Sequence, residues 1–242
     1  MLPGNNAKQF AVARSPQKPT DPRETHPRDS DKLSRVALDE WITTADQALR
    51  TLSGGAHAAR AHPTAAEKEP DLTPAERRLS GALLRVDHVG EVCAQALYQA
   101  QALTARSPQL RAHMQRAAAE EVDHLAWTER RLAQLGARTS FLNPLWYAGS
   151  FGIGLLAGWA GDRWSLGFVV ETERQVEQHL AGHLERLPSG DAPSRAIVEQ
   201  MKTDEAQHAT TAEQSGAASL PEPIKLAMRW AARVMTQTAH HV

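Results

Sequence analysis

The chain has 242 residues, a single cysteine (Cys93) and a formal net charge of −1. Its length fits one large domain or two small ones, and its balanced charge supplies neither a basic field for nucleic acid nor an acidic tail. One cysteine excludes an internal disulfide and a cysteine-based zinc site and suits a reducing compartment. Abundant Ala, Leu, Gln, Glu and Arg, without runs of Val, Ile, Thr and aromatics, favour helix throughout.

Residues 1–32 hold five prolines and many charges and are expected to form a disordered N-terminal extension. MLPGNNAKQFAVARS lacks the apolar stretch of a secretory signal. From residue 33, Leu33, Val36, Leu38, Trp41, Ala45, Leu49 and Leu52 make one apolar stripe ending at Gly54-Gly55, which predicts an amphipathic helix over 33–53. Residues 54–72 are a linker. TPAERRL then opens a long helix: Thr73 caps it, Pro74 suits its first position and Glu76 completes a capping box. It should run to about Arg106, where Ser107-Pro108 starts a second helix reaching Leu135-Gly136. Beyond a crossover at 137–164, a third helix is expected from about Ser165 to Leu187, stopping at PSGDAP, and a fourth over about Ser194–Ser215. PEPIKLAMRWAARVMTQTA makes a last amphipathic helix.

Two of these helices carry Glu-x-x-His: Glu121 and His124 in AAAEEVDHLAWTERRL, Glu205 and His208 in KTDEAQHATT. Alone the motif is about as common as chance. Its position is more telling. At 100° per residue, Leu110, Met114, Ala117, Leu125, Thr128, Leu132 and Leu135 fall within about 40° of Glu121, in the middle of the buried stripe. Glu205 shares its face with Val198, Met201, Ala209 and Ala212. Glu91 and Glu173 lie in the apolar stripes of the other two long helices, whereas Glu171 and Glu185 point away and Glu120 faces water. Glu91 and Glu121 are 30 residues apart and Glu173 and Glu205 are 32 apart, each pair centred on its own turn, so all four fall at one height. Buried carboxylates must neutralise or find cations, and Glu, turn, Glu-x-x-His in each hairpin is the ligand set of ferritin-like di-iron and di-manganese bundles. The mixed oxygen and nitrogen donors suit Fe or Mn better than structural zinc. Asp87, His88, Asp123, Asp204 and His179 are candidates for orienting the ligands. The expected architecture is all-α: a ferritin-like four-helix bundle at 73–242, with a long hydrophobic crossover and extra amphipathic N- and C-terminal helices, in a single domain spanning 33–242.

The crossover contains 23 consecutive uncharged residues, TSFLNPLWYAGSFGIGLLAGWAG, long enough to be a transmembrane candidate. A crossing there would put the two hairpins on opposite sides of the bilayer, and their ligands could not converge. Asn143-Pro144, the glycines, Trp146, Tyr147, Trp159 and nearby Trp164 suit a segment lying in the lipid interface instead.

LLRVDHVGEVCAQALYQAQAL, EEVDHLAWTERRLAQLGARTSFLNPLWYAGSFGIGLLAG, GFVVETERQVEQHLAGHLERLP and TDEAQHA together resemble the demethoxyubiquinone hydroxylases of ubiquinone biosynthesis, over about residues 73–242. The resemblance implies that Glu91, Glu121, His124, Glu173, Glu205 and His208 bind two Fe ions per chain, Glu121 and Glu205 bridging. It implies a peripheral monooxygenase on the cytoplasmic face of the inner membrane that uses O2 to hydroxylate a polyprenylated methoxy-methyl-benzoquinol. The electrons would come from the quinol or from NADH, for which there is no Rossmann fingerprint. His179, six residues after Glu173, matches a histidine given a role in proton or electron transfer. Accessory proteins of the pathway and a homo-oligomer are the further partners implied, with no nucleic acid. Where relatives often read N-H-A-G-E this chain has Asp87-His88-Val89-Gly90-Glu91, which leaves the role of Asp87 open. The competing readings are another ferritin-like protein, of the iron-storage or manganese-catalase type, and a non-enzymatic helical protein binding lipid or quinone at the membrane surface.

Overall fold

The computed structural model describes residues 27–63 and 70–242. Among them are seven α-helices and no strand: α1 (Pro27–Ser53), α2 (Pro74–Thr104), α3 (Pro108–Gln134), α4 (Asn143–Trp159), α5 (Asp162–Arg186), α6 (Ala192–Gln214) and α7 (Glu222–His241). Local chemistry sets most boundaries. The Thr73 hydroxyl accepts from the Glu76 amide while the Glu76 carboxylate accepts from the Thr73 amide, closing the capping box at α2. Ser107 caps α3 and Asp191 caps α6, each followed by proline in the first turn. Gly54 and Gly136, at φ 70° and 67°, follow the ends of α1 and α3.

Two compact units divide the chain, Met1–Trp41 and Ile42–Val242. The described part of the first unit is the opening of α1. That helix begins at Pro27, so residues 27–32 of the stretch expected to be disordered are helical, and the remainder of that stretch, 1–26, lies outside the described residues. Pro27 followed by Asp29 and Asp31 is a helix-start pattern that the count of prolines and charges concealed.

In the second unit α2–α3 and α5–α6 form two helical hairpins, joined by packing of α3 on α6 and of α2 on α5. The crossover helix α4 lies along α2, and its C-terminal end reaches the α2–α3 turn, where the Asp162 carboxylate accepts the Arg106 and Ser107 amides at 3.0 Å. At the opposite end the wholly buried Arg131 guanidinium holds Asp191 at 2.8 Å and Ser194 at 3.0 Å, tying α3 to the α5–α6 turn. Two apolar layers fill the bundle. One contains Tyr98, Leu110, Met114, Leu166, Val169 and Ala212, the other Leu83, Leu84, Trp127, Leu132, Leu180, Ile197 and Met201. On all four helices the residues between those layers are the inward Glu and His residues.

Helix α7 packs on α2 and α5 and changes the reading of Glu171. Expected to point away, that side chain is buried, receives a hydrogen bond from Gln175 at 2.7 Å, and lies 3.7 Å from Lys225 and 3.8 Å from Arg229 on α7. A face that looks outward within the four-helix bundle is an inner face once a fifth helix covers it. Glu185 is exposed, as expected.

Candidate metal centre

All six expected side chains are buried and meet in the layer between the two apolar clusters. Their arrangement is nearly symmetric about Glu121 and Glu205. The Nδ1 atom of His124 lies 2.9 Å from Oε2 of Glu121, 3.3 Å from Oε1 of Glu205 and 3.4 Å from Oε2 of Glu91. The Nδ1 atom of His208 lies 3.3 Å from the other oxygen of Glu121 and 3.4 Å from the other oxygen of Glu205. Glu121 and Glu205 therefore each turn one oxygen toward each imidazole. Glu91 stands with His124, and Glu173 groups with Glu205 and His208.

A ring of outer groups fixes these six side chains. Nε2 of His124 lies 2.9 Å from Oδ2 of Asp204, and Nε2 of His208 lies 2.7 Å from Oε2 of Glu120. Each imidazole is thus aimed by a carboxylate behind it, which fixes the orientation of its inward nitrogen. The Tyr98 hydroxyl donates to Oε1 of Glu173 at 2.5 Å. From the linker, Arg60 pairs with Asp204 at 2.9 Å and with Asp123 at 2.7 Å, its guanidinium lying 4.8 Å from the centre of the Trp127 ring. Asp123 also accepts the Ala59 amide at 2.6 Å, so it straps the linker to α3 instead of touching the six residues.

Of the residues considered for orienting ligands, only Asp204 does so directly. His88 faces Glu129 at 3.6 Å, while Asp87 and His179 group with His183. Glu120 is half-exposed but bonded to His208, which corrects the expectation that it simply faces water. Glu120, Tyr98 and Arg60 are the functional-layer residues that sequence reasoning missed. The capture of Glu120 and Arg60 depends on approach between separate segments, for which the sequence holds no signal. Tyr98, seven residues after Glu91, lies on the same helical face, and that spacing is the signal the sequence holds for it.

Electrostatics divides the six residues. Burial, then the charge of Glu121, pushes the Glu91 carboxyl well above the usual range, and burial, then the charge of Glu205, does the same to Glu173. Burial also opposes ionisation of Glu121, but the charge and hydrogen bonds of the histidines outweigh it and hold that carboxyl well below its ordinary value. For Glu205, burial and the Glu121 charge are likewise outweighed by the close approach of the His124 and His208 imidazoles, at 3.3 and 3.4 Å. Burial disfavours charge on the imidazoles, yet the surrounding carboxylates raise His124 well above its ordinary value and push His208 up to about 12.

The donor set fits a pair of hard-to-intermediate cations: four carboxylates and two imidazoles, mostly oxygen, converging from four helices. Several inward atoms, Oε2 of Glu91, Oε1 of Glu121, Oε2 of Glu205 and Nδ1 of His208, are buried without a hydrogen bond, as atoms directed at a metal would be.

A helical bundle with this layer belongs to the ferritin-like carboxylate class. Within it, the chain belongs to the family described as Ubiquinone biosynthesis protein COQ7, whose model matches residues 78–239. The 3-demethoxyubiquinol 3-hydroxylase of Polaromonas sp. (strain JS666) is 63% identical over 206 residues, covering 85% of this chain and 99% of the relative. The enzymes of the same description from Variovorax paradoxus (strain S110) and Nitrosomonas europaea are 62% and 58% identical, each over 205 residues covering 85% of this chain and 98% and 99% of theirs.

Proposed function

We propose that the six residues would hold two iron ions, bridged by Glu121 and Glu205, and that the protein hydroxylates the ring of a polyprenylated 3-methyl-6-methoxy-1,4-benzoquinol (demethoxyubiquinol) with O2; the name 3-demethoxyubiquinol 3-hydroxylase carried by its relatives supports the reaction. The observation that carries the metal reading is the placement of both bridging candidates, each with one oxygen toward each histidine. Bound iron would supply the activation of O2 and the electron transfers that the protein's own groups lack. Glu91 with His124, and Glu173 with His208, would complete the two sites. Asp204 and Glu120 hold the imidazoles in orientation, and Tyr98 fixes the rotamer of Glu173 through its hydrogen bond. The apolar layers on either side keep bulk water from the reacting centre.

The isoprenoid tail of such a substrate is soluble only in lipid, so the protein would work at the membrane surface, on the cytoplasmic face of the inner membrane. Among the described residues no helix is long and apolar enough to cross a membrane. Exposed Leu145, Ile153, Leu156 and Trp159 on α4, with Ile224, Leu226 and Trp230 on α7, suit shallow insertion. The test is conversion of demethoxyubiquinol in lipid vesicles by the full-length protein, metal-stripped and then iron-loaded, with O2, and with the quinol alone or with NADH as reductant. Product should form only in the iron-loaded sample, and equal conversion by the stripped protein would overturn the proposal. Glu121→Ala should abolish turnover while leaving helix content nearly unchanged by circular dichroism.

A further inference from the structure

A second group of ligand-type side chains stands apart from the six. Asp87 on α2 and His179 and His183 on α5 offer one oxygen and two nitrogens that all lie within 4.8 Å of one another. At 1.5 Å per residue, Asp87 is about 6 Å along α2 from Glu91, and His179 about 9 Å along α5 from Glu173. The group is therefore a separate locus, displaced toward the α5–α6 turn. Its two histidines are four residues apart on one helical face, with ring centres 4.0 Å apart.

The reacting atoms are close without satisfying one another. Oδ1 of Asp87 lies 2.7 Å from Nδ1 of His183 and 4.0 Å from Nε2 of His179. Yet neither oxygen of Asp87, nor Nδ1 of His183, nor Nε2 of His179 makes a hydrogen bond, and all four atoms are buried. An ordinary Asp–His pair points an N–H along the line to the oxygen. Here that hydrogen bond is missing, and the atoms are left buried and unsatisfied within 4.8 Å of one another, as are atoms of Glu91, Glu121, Glu205 and His208 in the larger cluster. Asp87 and His183 are 3% and 2% exposed, which makes an unpaired carboxylate there unfavourable. The His179 side chain is 33% exposed, so the group lies just beneath the protein surface.

We propose that Asp87, His179 and His183 form a third, mononuclear site for a divalent transition metal, linking α2 to α5, with solvent completing the coordination. Two imidazoles at i and i+4 with one carboxylate from a neighbouring helix are a donor set used for Zn²⁺ and for Fe²⁺. The site goes beyond the di-iron reading and does not depend on it. The probe is Zn²⁺ added to metal-free, full-length protein, with metal per chain counted after gel filtration. Wild type should retain one more equivalent than His179→Ala, whose substitution at a partly exposed position leaves the fold intact by circular dichroism. His183→Ala should lose the same equivalent, and Zn²⁺ should raise the Tm of wild type more than that of either variant. Equal metal counts in wild type and His179→Ala would overturn the proposal. A failure of the di-iron reading would lower both counts and preserve their difference, so the two ideas fail separately.

Discussion

Each imidazole of the central cluster works in two directions, Nδ1 toward Glu121 and Glu205 and Nε2 toward an outer carboxylate. Outer carboxylates of this kind are worth about 10–100-fold in metal affinity. Asp204→Asn and Glu120→Gln should each weaken iron binding by a factor in that range, measured by competition with a chelator, while conserving the shape of the site. The protons on the ligands set a second expectation. Glu91, Glu173, His124 and His208 all have pKa values raised by their surroundings, which favours the protonated form of each. A metal binds the deprotonated forms, so loading must release protons and apparent affinity must rise with pH. Calorimetry of metal binding in buffers of different ionisation enthalpy reads that number, and no net release would contradict the assignment. At this scale the sequence showed the six inward residues because each lies in an apolar stripe of its own helix. Glu120 escaped because one residue turns the helix by about 100°; what captures it is His208 from another helix, an approach no single-helix pattern encodes.

The crossover is the element whose chemistry differs most from its composition. Its absence of charge and its glycines suggested a lipid interface, but two of those glycines serve packing. A Cβ on Gly154 would sit 2.8 Å from Cβ of Ala100 and 2.9 Å from the Leu97 carbonyl oxygen, and one on Gly158 would overlap Thr104 of α2. The missing side chains let α4 lie close on α2, while Tyr147 donates to Gln99, Gln99 to Gln95, and Gln95 to the Ala118 carbonyl, linking α4 through α2 to α3. Gly154→Val should therefore overpack this contact and destabilise the bundle by about 1–3 kcal/mol. The expected fall in Tm is about 2–4 °C per kcal/mol for a chain of this size, read by thermal denaturation, and an unchanged Tm would mean that α4 does not pack as described. The sequence indicated that a connection must run the length of the bundle; it did not indicate a helix, because glycine-rich apolar runs score poorly on intrinsic helix propensity.

Across the whole molecule the order of turns was the legible feature. Ser107-Pro108 and PSGDAP fixed two hairpin centres, and the equal distances from them to the acidic residues placed all four acids at one level before any packing was known. What covers the bundle was not legible in the same way, since an amphipathic stripe such as that of α7 looks alike whether it meets protein or lipid. The structure separates the two uses. On α4, Tyr147, Gly154 and Gly158 are buried, and Leu145, Leu156 and Trp159 remain exposed on another face of the same helix. Trp146 of α4 and Met235 of α7 join one apolar cluster on α2, so α4 and α7, which both expose large apolar side chains, flank the same support. Full burial of a large apolar side chain contributes about 1.5–3 kcal/mol, so two such residues only partly inserted into lipid still supply enough for at least about a tenfold change in partitioning. Leu156→Glu combined with Trp159→Glu should shift the protein from the floating to the soluble fraction in vesicle flotation, with Tm unchanged because both positions are exposed. Turnover of a short-chain, water-soluble quinol should survive in this variant while turnover of a long-chain quinol in vesicles falls. Undiminished flotation would remove α4 from the membrane contact, and loss of both activities would place the two residues in the reaction centre instead of at the lipid surface.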